Sequence, residues 1–363
     1  MPSGGKSGYM GLKILHSADW HLDSPFAGFS QSQRELLKRE QRKIPGKVAD
    51  LCRREECDLV LLAGDLLDGQ AGRETLDILK KELKRCGVPV LIAPGNHDFC
   101  APGSPWLEES WPQNVFVFTG GLESVTISGL DCRIYGAGFQ SMDCPGLLDN
   151  FRAEGSEKYR LAVLHGDPVQ RNSPCNPITA AQVRGSGLDY LALGHIHKAG
   201  AFQAGNTLCA WPGCPMGRGW DETGEKGVCI VTLGEQPDIQ AVSLDTLRFY
   251  DLEVDVGAGA AEALEEALPA VGSEDFYRVE LTGYGQVDLA ALKEAFSAFA
   301  NLELRDRTQP PMDVWADAGE DTLEGVYFHM LRKTMEADPE NARLVQLAAE
   351  ISRQLLNGRE VTL

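Results

Sequence analysis

The feature that most constrains the fold is a repeated join. Five short apolar runs, at 13–18, 59–63, 88–93, 160–164 and 190–193, each stop at a cluster of Asp, His, Asn or Gly. Runs of this length, apolar at consecutive positions, read as strands buried on both faces, and the polar clusters read as loops at their ends. Between the first three lie two helical segments. One spans 45–54, with Pro45 suited to the first turn; the other spans 74–85, with Leu76, Leu79 and Leu83 on one face. This alternation predicts a βαβαβ unit and a largely parallel sheet. Segments 114–139 and 199–244 carry turn residues, among them Ser128-Gly129-Leu130-Asp131 and Ala204-Gly205-Asn206, and are expected to form antiparallel hairpins beside that sheet.

A second unit is expected from about Arg248. A strand at 249–256, a helix at 259–270, a strand at 276–282, a helix at 288–299 capped by Asp288 and a strand at 302–306 make a small α+β module over 248–309. Beyond Gln309-Pro310-Pro311, residues 310–363 read as two helices, 322–336 and 339–357, the last capped by Asp338 and Gly358. It carries a stripe of Leu344, Leu347, Ala348, Ile351 and Leu355, suited either to packing at home or to docking a partner. The main domain then covers 12–247. Residues 1–11 read as a flexible tail, in which Gly5-Lys6-Ser7 lacks the upstream glycine and strand of a phosphate-binding loop.

The chain holds 34 basic and 53 acidic residues, a net charge of −19, so its surface as a whole is no polycation. Residues 241–363 account for −14 of this and residues 1–240 for only −5. The one basic island runs from Arg34 to Arg54 with eight cationic side chains, among them Lys38, Arg39, Arg42 and Lys43. It is either a solvated helix face or a phosphate-backbone contact, and Pro45-Gly46 divides it into two pieces. The ten cysteines form no C-x-x-C pair, and neither a secretory signal nor a bilayer-length apolar run is present. A soluble, cytoplasmic protein with free thiols is expected.

Chemistry concentrates where the five runs end: Asp19-Trp20-His21, Gly64-Asp65, Gly95-Asn96-His97-Asp98, His165-Gly166 and Gly194-His195-Ile196-His197. These motifs contain five of the seven histidines. Composition alone would produce a G-H-x-H on the order of 0.01 times in the chain, so coincidence is a poor account of the set. Imidazole nitrogens with carboxylate and amide oxygens suit manganese, iron or zinc, and strand-end loops gather ligands from distant positions. Gly64, Gly95, Gly166 and Gly194 allow turns where a side chain would crowd the ions. His16, inside the first run, reads as a core histidine, and His329 as part of a C-terminal helix. Trp20 suits a pocket wall, Asp68 a supporting acid, and Arg218 a possible contact for a substrate phosphate.

In these motifs the chain resembles the calcineurin-like metallophosphoesterase superfamily, over roughly residues 12–235. The resemblance implies an αββα sandwich. It also implies two divalent ions, manganese first and iron or zinc next, one held by Asp19, His21, Asp65 and His197, the other by Asp65, Asn96, His165 and His195. His97 would serve the leaving group, steadied by Asp98. Such an ion pair lowers the pKa of the attacking water and neutralises charge developing on the phosphoryl oxygens. The runs His16-Ser17-Ala18-Asp19-Trp20-His21-Leu22 and Ala63-Gly64-Asp65-Leu66-Leu67-Asp68, with the late Gly224-Glu225-Lys226-Gly227-Val228, are similar to SbcD-type DNA repair exonucleases of the YhaO-like branch. That similarity implies DNA as substrate, a coiled-coil ATPase of SbcC or YhaN type as partner, and a dimer. The alternatives are a phosphatase or phosphodiesterase for nucleotides or other small phosphoesters, and a non-catalytic scaffold for an ATPase.

Overall fold

The structure, a computed structural model, describes residues 11–257, 259–270, 272–310 and 313–356. Most of the expected tail with Gly5-Lys6-Ser7, together with Pro311 and the Gly358 cap, lies outside these residues.

In chain order the first unit contains β1 (Leu12–Ser17), α1 (Gln31–Gln41), α2 (Ile44–Arg54), β2 (Leu59–Leu62), α3 (Arg73–Arg85), β3 (Val90–Ile92), α4 (Pro105–Glu108) and β4 (Val115–Val117). There follow β5 (Glu123–Ile127), β6 (Cys132–Gly136), β7 (Tyr159–His165), α5 (Ala180–Gly185), β8 (Tyr190–Gly194), β9 (Gly200–Ala204), β10 (Thr207–Trp211), β11 (Gly227–Leu233) and β12 (Asp238–Ser243). They form two six-stranded sheets, ordered β12-β11-β1-β2-β3-β4 and β5-β6-β7-β8-β10-β9. Strands β1 to β4 run parallel, as do β6, β7, β8 and β10.

Strand alternation makes this a sandwich. Leu59 and Leu61 of β2 join Ile14, Ile134, Leu161, Val163, Tyr190 and Ala192 in a core between the two sheets. Val60 and Leu62 point the other way, into a core with Leu37, Val48, Leu51, Leu79 and Leu83 of α1 to α3. On the far side of the second sheet, Leu164, Leu191 and Leu193 pack with Val183 of α5. The architecture is helices, sheet, sheet and helix: an α/β sandwich of the αββα kind.

Two expectations about pairing need correction. Strand β4 forms no hairpin; it extends the first sheet in parallel beside β3. Strand β10 does turn back on β9, but its other edge lies parallel to β8. Turn residues report only the local partner of a strand, and the second edge is set by tertiary packing.

Residues up to Asp251, with Glu274–Tyr277, form one compact unit; Leu252–Ser273 and the residues from Arg278 onward form the other. A three-stranded sheet follows the order β13 (Phe249–Asp255), β14 (Phe276–Thr282), β15 (Asn301–Asp306). Helix α6 (Ala260–Ala267) is shorter than expected because Leu268 is extended ahead of Pro269, whose ring disfavours a helical predecessor. Asp288 caps α7 (Leu289–Ala295) by accepting the Ala290 and Ala291 N–H groups. Helices α8 (Leu323–Ala337) and α9 (Ala342–Leu356) form a hairpin around buried Phe328, over which the Arg353 guanidinium lies at 3.8 Å. Leu344, Leu347 and Leu355 of the expected stripe are exposed.

Candidate metal centre

The carboxyl ends of β1, β2, β3, β7 and β8 meet at one edge of the sandwich. Four residues there, Asp19, His21, Asp65 and His195, adopt positive φ angles of 55°, 45°, 50° and 94°. Each such conformation costs a side-chain-bearing residue about 1–3 kcal/mol and persists only where its surroundings over-determine it. Here the Asp19 N–H donates to Gly64 O at 3.0 Å and the His21 N–H to Asp65 O at 2.9 Å, while the His195 N–H donates to the Asp19 carboxylate at 2.9 Å. The glycines leave room for this. A Cβ on Gly64, itself at φ +89°, would come within 2.5 Å of His165 Nδ1, and one on Gly95 would collide with Asp65 Oδ1.

The ring orientations explain what such a site could hold. His165 Nδ1 donates to Ala63 O at 2.9 Å, which leaves its Nε2 with a lone pair directed 2.9 Å from Asn96 Oδ1 and 3.5 Å from Asp65 Oδ2. His197 Nδ1 donates to Glu222 Oε1 at 2.6 Å, leaving its Nε2 as an acceptor 3.2 Å from His21 Nε2. Asn96 Oδ1 also lies 3.2 Å from His195 Nδ1. Burial holds His21 and His195 down to about 4 and depresses His165 as well, so these rings are neutral, the form that coordinates metal. Burial and the adjacent Asp65 push the Asp19 carboxyl up. Lone pairs and carboxylates thus face one another in a dry space, an arrangement that fits divalent cations. Ligand atoms of Asp19, His21 and His197 lie within 4.8 Å of one another, as do those of Asp19, Asp65 and His165.

His97 stands at the rim, its side chain 40% exposed. Its backbone N–H donates to Asp65 Oδ1 at 2.9 Å, and its Nδ1 lies 2.9 Å from Asp68 Oδ1. Hydrogen bonding to Asp68 raises the His97 pKa, and His21 and His97 together hold the Asp68 carboxyl far below its usual range. The expectation that Asp98 steadies His97 is therefore corrected. Asp98 is buried and accepts N–H bonds from Asp65, Leu66, Leu67 and Gly95 at 2.8–3.2 Å, so its oxygens are committed to tying two loops together. Asp68, given only a supporting part by its spacing, contacts the imidazole.

The basic island is also altered by its surroundings. Arg42 reaches inward to Asp23 at 3.1 Å, Thr75 at 3.1 Å and Glu74 at 2.7 Å, which makes it a brace between α1 and the start of α3. Lys43 and Arg39 both bond Glu40, at 2.6 and 3.0 Å, and Arg39 also reaches Glu274. None of the three projects as an uncompensated cation. The island breaks at Arg42 and Lys43, between α1 and α2, with Pro45 and Gly46 inside the first turn of α2. Arg218 lies beside the centre, with Nη2 3.2 Å from both His197 Nδ1 and Glu222 Oε1. His16 is a satisfied core residue bonded to Tyr190 and Leu193 O, Trp20 is buried with its indole N–H donating to Ser17, and His329 is exposed on α8.

Glu222 was not visible in any motif. Buried, it accepts from His197, from the Arg218 backbone and guanidinium, and from Cys214. Asn176, also buried, donates to His165 O at 2.8 Å. All ten cysteines are free thiols. No helix among the described residues is long and apolar enough to cross a membrane.

This edge of paired carboxylates, amide and imidazoles on an αββα sandwich defines a metallophosphoesterase, and the calcineurin-like phosphoesterase family model matches residues 12–199; the chain belongs to that family, whose members use a pair of divalent metal ions. Among individual relatives, it is 34% identical over 238 residues to the uncharacterised metallophosphoesterase YhaO of Bacillus subtilis, a match covering 61% of this chain and 57% of that protein. It is 22% identical over 321 residues to the SbcD component of the SbcCD nuclease of Staphylococcus epidermidis, covering 76% of this chain and 80% of that one. A dimetal phosphatase from Danio rerio aligns in structure over 63% of this chain and 95% of its own, at 16% identity and a TM-score of 0.42.

Proposed function

We propose that the chain is a manganese-dependent DNA exonuclease of the SbcD type that works in the cytoplasm with a coiled-coil ATPase. The observation that carries the reading is the convergence of neutral imidazole lone pairs on buried Asp19, Asp65 and Asn96, with protonatable His97 at the open rim. In this reading Asp19, His21, Asp65 and His197 hold one ion, and Asp65, Asn96, His165 and His195 the other, with Asp65 shared. The ions supply charge neutralisation for the phosphoryl oxygens and a more acidic attacking water. The chain's own residues do the rest. Glu222 and Ala63 O fix the rings of His197 and His165, Asp68 keeps His97 oriented and protonated, and His97 gives its proton to the leaving oxygen as the P–O bond to that oxygen breaks and the water oxygen bonds phosphorus.

Relatives named as the SbcD component of the SbcCD nuclease and as the double-strand break repair protein Mre11 of Aeropyrum pernix support DNA as the substrate and an ATPase as the partner. The exposed leucines of α9 give that partner a docking face on residues 310–363, and a second copy of the chain completes a dimer. The acid-neutralised state of Arg39, Arg42 and Lys43 favours a second reading, a phosphodiesterase of small phosphoesters needing no duplex track.

The test is hydrolysis of labelled duplex DNA, single-stranded DNA and bis(p-nitrophenyl) phosphate by manganese-loaded protein. Stepwise shortening of DNA is expected, and His97→Ala should lower kcat about 10²–10⁴-fold while manganese stoichiometry is kept. Hydrolysis of the small diester alone would support the second reading; loss of neither activity in His97→Ala would remove His97 from the chemistry.

A further inference from the structure

Beside His97, on the side away from His197, lies a cavity of about 210 Å³ walled by Gln70, Phe99, Ala101, Pro102 and Ser104. Among the described residues its ionisable neighbours are His97 itself and Asp98, whose oxygens are already taken by backbone N–H groups. The cleft on the opposite side of the centre differs: it is larger, at about 490 Å³, and is walled by Lys198, Lys226, Asp221 and Glu225 beside His197 and Glu222. The two approaches to the scissile phosphorus are therefore chemically unlike, one charged and one neutral.

A neutral cavity with a half-buried aromatic ring and an amide side chain disfavours another phosphate and suits a flat, weakly polar group. Its size admits one such group. Its position against His97 places it where the leaving oxygen departs. We infer that this cavity receives the nucleobase of the nucleoside that carries the leaving oxygen, which must be unstacked from its neighbours to enter. The inference rests on the nuclease reading above and narrows it: the bond is cut where a base is free to leave the stack, with Phe99 as the platform and Gln70 meeting the base edge.

The experiment compares oligonucleotides that carry either a normal nucleotide or a tetrahydrofuran abasic nucleotide on the leaving side of the terminal phosphodiester, cut by the manganese-loaded full chain. The base-bearing substrate is expected to have a kcat/KM roughly 5- to 150-fold higher, the range that stacking of one base on a protein aromatic confers. Ala101→Phe, which fills the cavity, should bring that ratio toward 1, and the comparison in the unsubstituted protein stands even if this variant fails to fold. Equal cutting of the two substrates would overturn the inference and leave the nuclease reading intact. Absence of DNA cutting, with or without hydrolysis of bis(p-nitrophenyl) phosphate, would overturn the nuclease reading and this inference with it.

Discussion

Replacing Glu222 isolates one imidazole of the centre. Its Oε1 takes the His197 Nδ1 proton at 2.6 Å, and its Oε2 takes the Arg218 N–H at 2.8 Å, in a position only 6% exposed. The first bond decides which nitrogen of His197 carries the lone pair and how the ring is aimed. Partners of this kind behind a metal-binding histidine typically contribute 10–100-fold to metal affinity, or about 1.4–2.8 kcal/mol. Glu222→Ala should cost that amount for the ion bound by His197, and stability as well, because Arg218 N–H and guanidinium lose their acceptor. Glu222→Gln keeps an oxygen for His197 but turns an N–H₂ group toward the Arg218 N–H, so its loss of affinity should be smaller and its loss of stability comparable. Titration calorimetry of manganese into chelator-stripped protein resolves two sites if their affinities differ, and thermal melts report the fold. One site weakened and the other unchanged is the expected result. Equal weakening of both, or an unchanged isotherm in a folded Glu222→Ala protein, would refute the assignment of His197 to one ion and the role given to Glu222.

The two acids near His97 should separate cleanly: Asp68→Ala is expected to lower kcat about 10- to 1000-fold with little change in manganese binding, whereas Asp98→Ala strands four buried N–H groups and should cost about 3 kcal/mol or more in urea unfolding. Arg42→Ala, which removes bonds to Asp23, Thr75 and Glu74, should destabilise by about 1–3 kcal/mol, while Arg39→Ala, on an exposed side chain, should leave the urea midpoint nearly unchanged. Burial alone would raise the Glu40 carboxyl, but hydrogen bonds from Lys43 and Arg39 outweigh it and hold the group below its ordinary 4.5. Its contribution is therefore present above pH 4.5 and lost as the pH falls through the lower folded value; Glu40→Gln should cost up to about 1 kcal/mol at pH 7 and progressively less below pH 4.5.

Much of the core and most of the site were legible because both are encoded locally. A run such as Leu59-Val60-Leu61-Leu62 has no polar face, so it reads as a strand covered on both sides, and the glycine and acid that follow mark its end. What escaped depends on contacts distant in sequence. Glu222 lies 25 residues beyond His197 with nothing in its neighbourhood to mark it. Asp98 was matched to His97 by adjacency, yet consecutive residues after a strand point in different directions, and the imidazole meets Asp68 from another loop. The cationic run at 34–54 carries no sign of the acids that neutralise it, since Asp23 and Glu74 come from other segments and Glu40 is outnumbered in composition.

A buried histidine outside the metal centre links these levels. His16 spans the two sheets: its Nε2 donates to Leu193 O at 3.0 Å, which leaves Nδ1 to accept the Tyr190 hydroxyl at 2.7 Å, and burial holds its pKa down to about 3. It is therefore neutral throughout the range in which the protein works and acts as a fixed strut. Three residues further along β1's exit, Asp19 takes the His195 N–H, two residues past Leu193, and across from it His165 Nδ1 bonds Ala63 O. These three ties between the sheets climb from the apolar interior to the metal edge, each setting the register for the next. Because hydrogen bonds in so dry a setting are strong when paired and costly when broken, sliding one sheet against the other would break all three together. The strained backbone at Asp19, His21, Asp65 and His195 is held by that same coupling, so the rigidity that keeps five loops converged is built into the sandwich and does not wait for the ions to impose it.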